Sequence, residues 1–260
     1  MKKLTAILSV LLLLAGLMSG CGQKLKAEPV ALTDKLESCS IYLEPVEHLP
    51  EDFILGMDVS SVLAQERSGV VYRGFEGQEQ DVFKILAENG VNYIRVRVWN
   101  DPFDAEGHGY GGGNCTIDTA LEIGKRATRY NMRLLVDFHY SDFWADPGKQ
   151  KAPKAWKDMD LDKKAAALET FTRESLQKLW SAGVDVGMVQ VGNETNGAMC
   201  GEKEWSAIVK LMAAGSKAVR EVYPDALVAV HFANPAGYAV CLSLALRLTR
   251  PPPLGEVARC

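Results

Sequence analysis

The length and composition of this chain are those of an ordinary globular domain. The chain has 260 residues, of which 47% are hydrophobic and 24% are charged, and this length accommodates one barrel-sized domain or two small ones. Acidic residues outnumber basic ones by 33 to 29, so the formal net charge is −4. This balance argues against a basic surface of the kind that binds nucleic acid, and we expect no nucleic-acid partner.

Residues 1–20 have the pattern of an export signal. Two lysines precede an apolar run that ends at Met18, and this run is too short for a comfortable membrane span. Small residues and Cys21 follow, in an order that resembles the processing box of bacterial lipoproteins. We therefore expect a signal peptide over residues 1–20, a lipid anchor at Cys21 as the only link to a membrane, and a secreted or cell-surface location in a bacterium. A plain secretion signal with an incidental cysteine is the alternative.

The rest of the chain divides into three segments by composition. Residues 21–52 mix charged residues, proline and short apolar pieces without periodicity, which indicates a lipoprotein tether. Residues 53–238 carry a repeating pattern and form the predicted domain. Residues 239–260 contain a proline triplet and no strand that ends in polar residues, and we interpret them as an aberrant tail from a shifted reading frame or a broken gene model.

Apolar strand patterns alternate with amphipathic helix patterns through the predicted domain. This alternation predicts the α/β class, with a parallel sheet covered by helices. The five predicted strands end in polar residues, namely Asp58, Asn100, His139, Glu194 and His231. Because barrels carry their chemistry at the carboxyl ends of their strands, we predict a (β/α)8 TIM barrel, of which about five of eight βα units are present. A doubly wound sheet is disfavoured, since the turn MDVSS lacks the glycines of a dinucleotide-binding fold.

The fourth predicted strand delivers an amide and a carboxyl group, Asn193 and Glu194, to its carboxyl end. This pair suits retaining glycoside hydrolysis, in which the glutamate protonates the leaving oxygen and the asparagine binds the sugar 2-hydroxyl. An ordinary surface glutamate is the alternative. We predict that Glu194 is the acid/base.

Two arginines of the second predicted strand, Arg95 and Arg97, alternate with apolar residues and so face the same side of the sheet. Two charges facing the helix layer would be costly, so we expect one or both inside the barrel near its mouth, anchoring carboxylates. A structural ion pair is the alternative, and the two roles are compatible.

The segment after the third predicted strand is dense in residue types that bind sugars. Aromatic faces stack on pyranose rings and polar side chains bind hydroxyls, so we predict substrate contacts from His139, Asp142 and Trp144. Aromatic packing beneath a loop is the alternative. Weaker candidates of the same kind follow other strands: Trp99, Asn100, His231 and Asn234.

The cysteines indicate no metal site, because no CxxC or His-plus-Cys spacing suggests zinc, and we predict no metal and no cofactor. With Cys21 set aside, an odd number of cysteines remains, so at least one is unpaired. Cys115 and Cys200 both follow predicted strands, and a disulfide between them is one pairing that the pattern allows.

Several motifs together resemble the arabinogalactan endo-β-1,4-galactanases of glycoside hydrolase family 53. They occur in the order and spacing of that family, from about Leu55 to Tyr238: GMDVSSV, GVNYIRVRVWNDP, DFHYSDFWADPGKQ, QVGNETNG and HFANPAGY. The resemblance implies a retaining barrel that cleaves β-1,4-galactan, the side chain of pectin, inside the polymer. We expect it to act as a monomer.

The resemblance also implies a role for each matched residue. Glu194 would be the acid/base, Asn193 its sugar-binding neighbour, and Arg95 the residue that orients the nucleophile. Further residues would line the cleft: Asp58, Trp99, Asn100, His139, Asp142 and Trp144.

One part of the family pattern is absent from this sequence. The nucleophile would follow the seventh strand, roughly 100 residues beyond Glu194 in a barrel of this kind. The calcium site of bacterial relatives would also lie beyond this chain. We therefore expect the chain as given to be inactive. A non-catalytic galactan-binding or inert fragment is one alternative, and another endo-glycanase of the same clan is a second.

Overall fold

The computed structural model describes residues 46–233. The predicted signal peptide, the anchor Cys21, most of the tether, the tail 239–260 and Asn234 lie outside the described residues. No helix in the described range is long and apolar enough to cross a membrane.

The described residues fold around one parallel sheet of five strands. These strands are β1 (Gly56–Asp58), β2 (Tyr93–Val98), β3 (Arg133–Phe138), β4 (Val186–Val191) and β5 (Leu227–Ala229). Each strand pairs with the next along the chain, so the order in the sheet is the order in the sequence. In a doubly wound sheet the spatial order of successive strands reverses at a switch point, whereas in a barrel each strand lies beside the next one in sequence. The predicted α/β barrel architecture, present in part, is confirmed.

Helices connect the strands and cover one side of the sheet. They are α1 (Val62–Arg67), α2 (Val82–Glu88), α3 (Ile117–Arg129), α4 (Leu161–Ser181) and α5 (Trp205–Val222). Three of these helices have an N-cap residue whose side chain accepts a hydrogen bond from a backbone N–H of the first turn. These residues are Asp81, Thr116 and Asp160. Such caps satisfy donors that a helix leaves unpaired, so they fix where α2, α3 and α4 begin.

The core lies between the sheet and the helices. In β2, Ile94, Val96 and Val98 are at most 1% exposed, and the alternating pleat turns Arg95 and Arg97 to the opposite side of the sheet. The core of the other elements is built in the same way, from residues that include Leu134, Val136, Phe138, Val189, Val191, Ile123, Leu168, Leu176, Ile208 and Leu211. The sheet therefore has an apolar face toward the helices and a polar face toward the barrel interior.

The outer strands are shorter than their predicted runs. Each contains three residues and pairs on one side only within residues 46–233, so Met57 is 48% and Leu227 is 53% exposed. Sequence periodicity also missed α1, because a helix of 6 residues is too short for its pattern to repeat.

The disulfide considered for Cys115 and Cys200 is wrong, since both thiols are free and buried. The Cys115 thiol lies 3.4 Å from the Gly112 carbonyl oxygen, in the loop after β2. Cys200 lies in the loop after β4, where Lys164 and Glu202 are charged neighbours. Following a parallel strand was not enough to bring the two sulfur atoms together, because each thiol is buried among neighbours in its own loop.

Candidate active site

The predicted strand-end residues lie along the carboxyl edge of the sheet. Asp58 is the last residue of β1, and His139 directly follows β3. Asn100 lies just beyond β2, and Glu194 and His231 lie just beyond β4 and β5. The parallel arrangement therefore brings side chains from distant parts of the sequence to one edge, where barrels place their chemistry.

The guanidinium of Arg95 joins three of these strand ends. Its Nη1 lies 2.5 Å from Oδ2 of Asp58, and its Nη2 lies 2.6 Å from Oδ2 of Asp137. Nη2 also donates to Oδ1 of Asn193 over 3.2 Å. One arginine thus links the ends of β1 and β3 to the residue beside Glu194. Its 28% exposed side chain is anchored on both sides by carboxylates.

The carboxylate of Asp137 is the buried centre of this network, and sequence reasoning missed it. Asp137 is 0% exposed, and it accepts hydrogen bonds from Arg95, from Nε2 of His139 over 3.0 Å and from Nε2 of Gln190 over 2.6 Å. The sequence contains a signal for this network, namely one Asp in the apolar strand RLLVDF and one Gln in VGMVQV. Polar side chains in buried strands need hydrogen-bond partners, so these two residues could have been predicted to pair.

The ring of His139 has a defined proton position in this network. Its Nδ1 accepts the backbone N–H of Ala145 over 3.0 Å, and a backbone N–H can only donate. Nδ1 therefore carries no proton, and Nε2 donates its proton to Asp137. With both ring nitrogens engaged and 1% exposure, His139 supports Asp137 and the loop after β3.

The amide of Asn193 is locked in one orientation. Its Oδ1 faces the Arg95 guanidinium, which can only donate, and it also accepts from Gln190 over 3.1 Å. Nδ1 of His231 lies 2.8 Å from the same oxygen, so His231 is joined to the network. Nδ2 of Asn193 donates to the carbonyl oxygen of Ala145 over 2.8 Å. This is the one hydrogen bond that the amide nitrogen donates among the described residues, so its second proton is available.

The backbone at Glu194 has a left-handed conformation. Its φ is 51°, and Gly192 two residues earlier has a φ of 99°, so the chain turns sharply after β4. A positive φ in a glutamate is costly, and such costs are typical of functional sites. The Gln150 amide nitrogen supports the turn, since it donates to the carbonyl oxygens of Asn193 and Glu194 over 2.7 and 3.2 Å. The backbone that carries the half-buried Glu194 is thereby held at the strand end.

Aromatic side chains and Arg97 form a wall beside the polar network. The guanidinium carbon of Arg97 lies 4.2 Å from the centre of the Trp144 ring, and Trp144 is 41% exposed. The fully buried Trp99 packs against Trp144, with ring centres 5.8 Å apart, and against Phe143, at 4.8 Å. Trp144 therefore presents an exposed aromatic surface whose position is set by Arg97 and Trp99.

Two predicted substrate residues, Asn100 and Asp142, occupy a different place. Their side chains make no hydrogen bond or ion pair with the Arg95 network in the part of the chain that the structure describes. Both line a cavity of about 500 Å³ between the loops after β2 and β3 and the helix α4. The Asp142 carboxylate accepts the backbone N–H groups of Asp101 and Lys154 over 3.1 and 2.7 Å. It therefore also links these two loops.

The pKa of the Asp58 carboxyl lies below its usual value. Burial raises this pKa, but hydrogen bonds from the hydroxyl and the backbone N–H of Ser60 lower it, and so do the charges of Arg97 and Arg95. The hydrogen bonds are 2.7 Å from Oγ and 3.0 Å from N of Ser60. Asp58 is thus held ionised, as an anchor for Arg95.

One group of potential metal ligands occurs among the described residues. Atoms of Asp104, Glu106 and His108 lie within 4.8 Å of one another on an exposed loop. Oδ1 of Asp104 already accepts the backbone N–H groups of Glu106 and His108, over 3.0 and 2.7 Å. Calcium prefers a full set of oxygen ligands, so this group, with its imidazole, does not fit the calcium that the family resemblance implies.

Comparison with known proteins gives the same family. The family model described as Glycosyl hydrolase family 53 matches residues 54–250. The chain is 50% identical to the endo-β-1,4-galactanase of Bacillus subtilis strain 168 over 217 residues, or 84% of this chain and 51% of the relative. It is 37% identical to the arabinogalactan endo-β-1,4-galactanase of Humicola insolens, over 69% of this chain and 53% of the relative.

Solved structures of the family have the same fold. The Ignisphaera aggregans family 53 catalytic domain matches with a TM-score of 0.77 and 36% identity, over 81% of this chain and 60% of that one. A fungal β-1,4-galactanase matches with a TM-score of 0.65 and 34% identity, over 74% and 57% of the two chains. The chain spans about half the length of the curated relatives it matches. The family model covers most of the sequence, and the chain belongs to glycosyl hydrolase family 53.

Proposed function

We propose that this chain is the acid/base-bearing part of an endo-acting retaining glycoside hydrolase that cleaves β-1,4-galactan. The observation that carries the proposal is the β4 end, where Glu194 adopts a left-handed conformation next to an Asn193 amide locked by Arg95. Membership of the family and the names of its relatives support galactan as the substrate.

The chemistry of this site follows from the placement of its groups. Glu194 would protonate the glycosidic oxygen of the leaving galactosyl unit and later remove a proton from the attacking water. The remaining proton of the Asn193 amide would bind the sugar 2-hydroxyl. The exposed surface of Trp144 would stack on a galactosyl ring, while Trp99 and His139 support this wall from below.

Retaining hydrolysis also needs a second carboxyl group, about 5–5.5 Å from the first, as the nucleophile. The described carboxylates near the β4 end, Asp58 and Asp137, are both held in ion pairs with Arg95, so neither suits this role. We propose that Arg95, anchored in this way, orients the nucleophile of the complete enzyme. The chain itself would bind galactan without hydrolysing it, and a purely galactan-binding fragment is the second candidate function.

A binding experiment with a stereochemical control tests the proposal. β-1,4-Galactotetraose and β-1,4-glucotetraose differ in the configuration at C4 and are titrated into the whole chain by calorimetry. We expect the parent to bind the galactose ligand at least tenfold more tightly, and Trp144→Ala to weaken this binding. Equal affinity of the parent for both ligands, or a galactotetraose affinity that Trp144→Ala leaves unchanged, contradicts the proposal.

Activity provides the second arm of this test. We expect no reducing ends to be released from galactan by the chain ending at Cys260. Release that persists in Glu194→Gln argues against Glu194 as the acid/base. Release that is lost in Glu194→Gln would mean that Asp58 or Asp137 serves as the nucleophile, and the roles proposed for these carboxylates would be wrong.

The location of the protein is a proposal of its own. We infer export through residues 1–20 and lipid attachment at Cys21, because a polysaccharide substrate lies outside the cell. We also propose that the protein acts as a monomer. Incorporation of labelled palmitate by the parent and its loss in Cys21→Ser test the anchor. Secretion of an unlabelled parent would favour the plain signal peptide.

A further inference from the structure

A cavity of about 500 Å³ lies on the flank of the domain, apart from the Arg95 network. The loops after β2 and β3 provide one side, through residues that include Asn100, Asp142 and Trp156. The outer face of α4 provides the other side. The volume suits one or two sugar rings, since ligand sites commonly measure about 300–1,000 Å³.

The helix side of this cavity is one stripe of α4. Ala166, Thr170 and Glu174 are each four residues apart, so their side chains lie above one another and face the loops. All three are exposed. Phe171, which is half-buried, adds an aromatic ring that meets Trp156 edge to face, with ring centres 6.0 Å apart. The cavity therefore has an apolar floor with polar groups around it.

The polar groups of the lining are mainly hydrogen-bond acceptors. Asp101, Asp142 and Glu174 contribute carboxylates, and no lysine, arginine or histidine lines the cavity within residues 46–233. Lys154, which lies outside this lining, pairs its Nζ with Asp101 over 2.7 Å, so Asp142 and Glu174 are the main acceptors. Burial raises the pKa of Asp142 above its usual value, so this carboxyl gains from any donor that reaches it. An anionic ligand would be repelled by these groups, whereas a ligand rich in hydroxyl donors would be bound.

The side chain of Asn100 supplies a second observation. Its Oδ1 is buried and has no hydrogen-bond partner among the described residues. A buried acceptor without a donor is unfavourable, so rotation of the Asn100 amide toward the cavity that this residue lines would let a ligand hydroxyl satisfy the oxygen. Neither the loops nor α4 offers a donor to this atom.

We propose that this flank cavity is a second saccharide-binding site, which holds galactosyl units of a neutral galactan chain outside the catalytic cleft. Hydroxyl groups of the sugar donate to the carboxylates of Asp142 and Glu174 and, after rotation of the Asn100 amide, to Oδ1 of Asn100. The apolar face of the ring packs against Trp156 and Phe171. The choice of galactan rests on the proposed function, whereas the preference for a neutral, hydroxyl-rich ligand rests on the cavity alone.

The test separates the flank cavity from the cleft by using a Trp144→Ala background. In this background Thr170→Trp fills the cavity from the exposed face of α4, and Gln177→Trp adds the same side chain at an exposed position of α4 outside it. Binding of β-1,4-galactotetraose is followed by calorimetry. We expect Thr170→Trp to weaken the remaining binding at least fivefold and Gln177→Trp to change it less than twofold.

A charge variant repeats the test without adding bulk. Glu174→Lys replaces an acceptor of the cavity by a cation, and Gln177→Lys is its control on the same helix. Equal effects of cavity and control variants, or no residual binding in the Trp144→Ala background, overturn the proposal. Residual binding that Thr170→Trp removes supports it even if the cleft shows no galactose preference, so the two proposals fail separately.

Two further ligands check the chemistry of the cavity in the same background. Trigalacturonate carries negative charge and is expected not to bind. Spermidine represents a cationic ligand. Binding of trigalacturonate that Thr170→Trp abolishes overturns the proposal. Spermidine binding at the cavity that galactotetraose fails to displace also overturns it, in favour of a cation site.

Discussion

The guanidinium carbon of Arg97 lies 4.2 Å from the centre of the Trp144 ring, although Arg97 is only 8% exposed. No carboxylate lies within ion-pair distance of Arg97 among the described residues, and its Nε has no hydrogen-bond partner there. A buried charge without an ion pair is unfavourable, so its stacking on an exposed tryptophan indicates a role in positioning that ring.

Replacing Arg97 by methionine tests this relationship. A cation–π contact contributes about 0.5–2 kcal/mol, so we expect Arg97→Met to weaken galactotetraose binding about two- to thirtyfold in calorimetry. The free energy of unfolding should fall by about 1 kcal/mol or less, because methionine fills similar space without a desolvated charge while Asp58 loses the favourable charge of Arg97. A large loss of stability with unchanged affinity would show that Arg97 is structural.

The left-handed backbone of Glu194 predicts that replacing this residue by glycine stabilises the fold. The left-handed conformation costs an L-residue about 1–2 kcal/mol, and Glu194→Gly removes this cost. Glycine gains more conformational entropy on unfolding, which offsets part of the gain, so we expect the free energy of unfolding to rise by about 1 kcal/mol. Glu194→Gln keeps the strain and should match the parent in urea denaturation. A glycine variant less stable than the parent would mean that the Glu194 side chain stabilises the turn.

The burial of Asp137 predicts a severe effect of its neutralisation. Asp137→Asn leaves Arg95 with one carboxylate and disturbs the bonds from His139 and Gln190. We expect a loss of about 3–5 kcal/mol, as for other broken buried ion pairs, measured by chemical denaturation. Asp58→Asn is the matched control, since its side chain is 34% exposed, and should cost about 1 kcal/mol or less. A similar loss of unfolding free energy in Asp137→Asn and Asp58→Asn would show that Asp137 is not the centre of the Arg95 network.

The lowered pKa of Asp58 predicts how stability depends on pH. A carboxyl whose pKa is lower in the folded state stabilises the fold above its unfolded pKa, about 3.9. This contribution is lost as pH falls through the folded pKa. We therefore expect the difference in melting temperature between the parent and Asp58→Asn to stay constant from pH 7 to about pH 4 and to shrink below that. A difference that grows on acidification would contradict this sign.

The two buried thiols should resist modification. Burial raises the pKa of Cys115 to about 11 and that of Cys200 to about 12, so almost no thiolate forms at pH 8. We expect iodoacetamide to leave both unmodified in the native chain and to label both in urea, as seen by peptide mass spectrometry. Rapid native labelling of either would show that its loop opens readily.

Local patterns in the sequence predicted the arrangement of elements well. Alternating apolar residues in β2, β3 and β4 and the periodicity of α3, α4 and α5 arise from neighbours along the chain, so they are readable without the fold. The same holds for the strand ends, since an apolar run that stops at Asp58, His139 or Glu194 marks its own boundary. The motifs around these ends also resembled the correct family.

Contacts between distant residues were decided by the tertiary structure alone. Sequence spacing could not show that Arg95 meets Asp137 as well as Asp58, or that Asn100 and Asp142 line a separate cavity together with α4. These outcomes depend on loop paths and strand register, which are set by packing across the whole domain. The sequence by itself determined the elements, the strand-end residues and the family, because each is a local pattern. Only the fold decided which polar groups pair and which face a ligand, because pairing requires three-dimensional proximity.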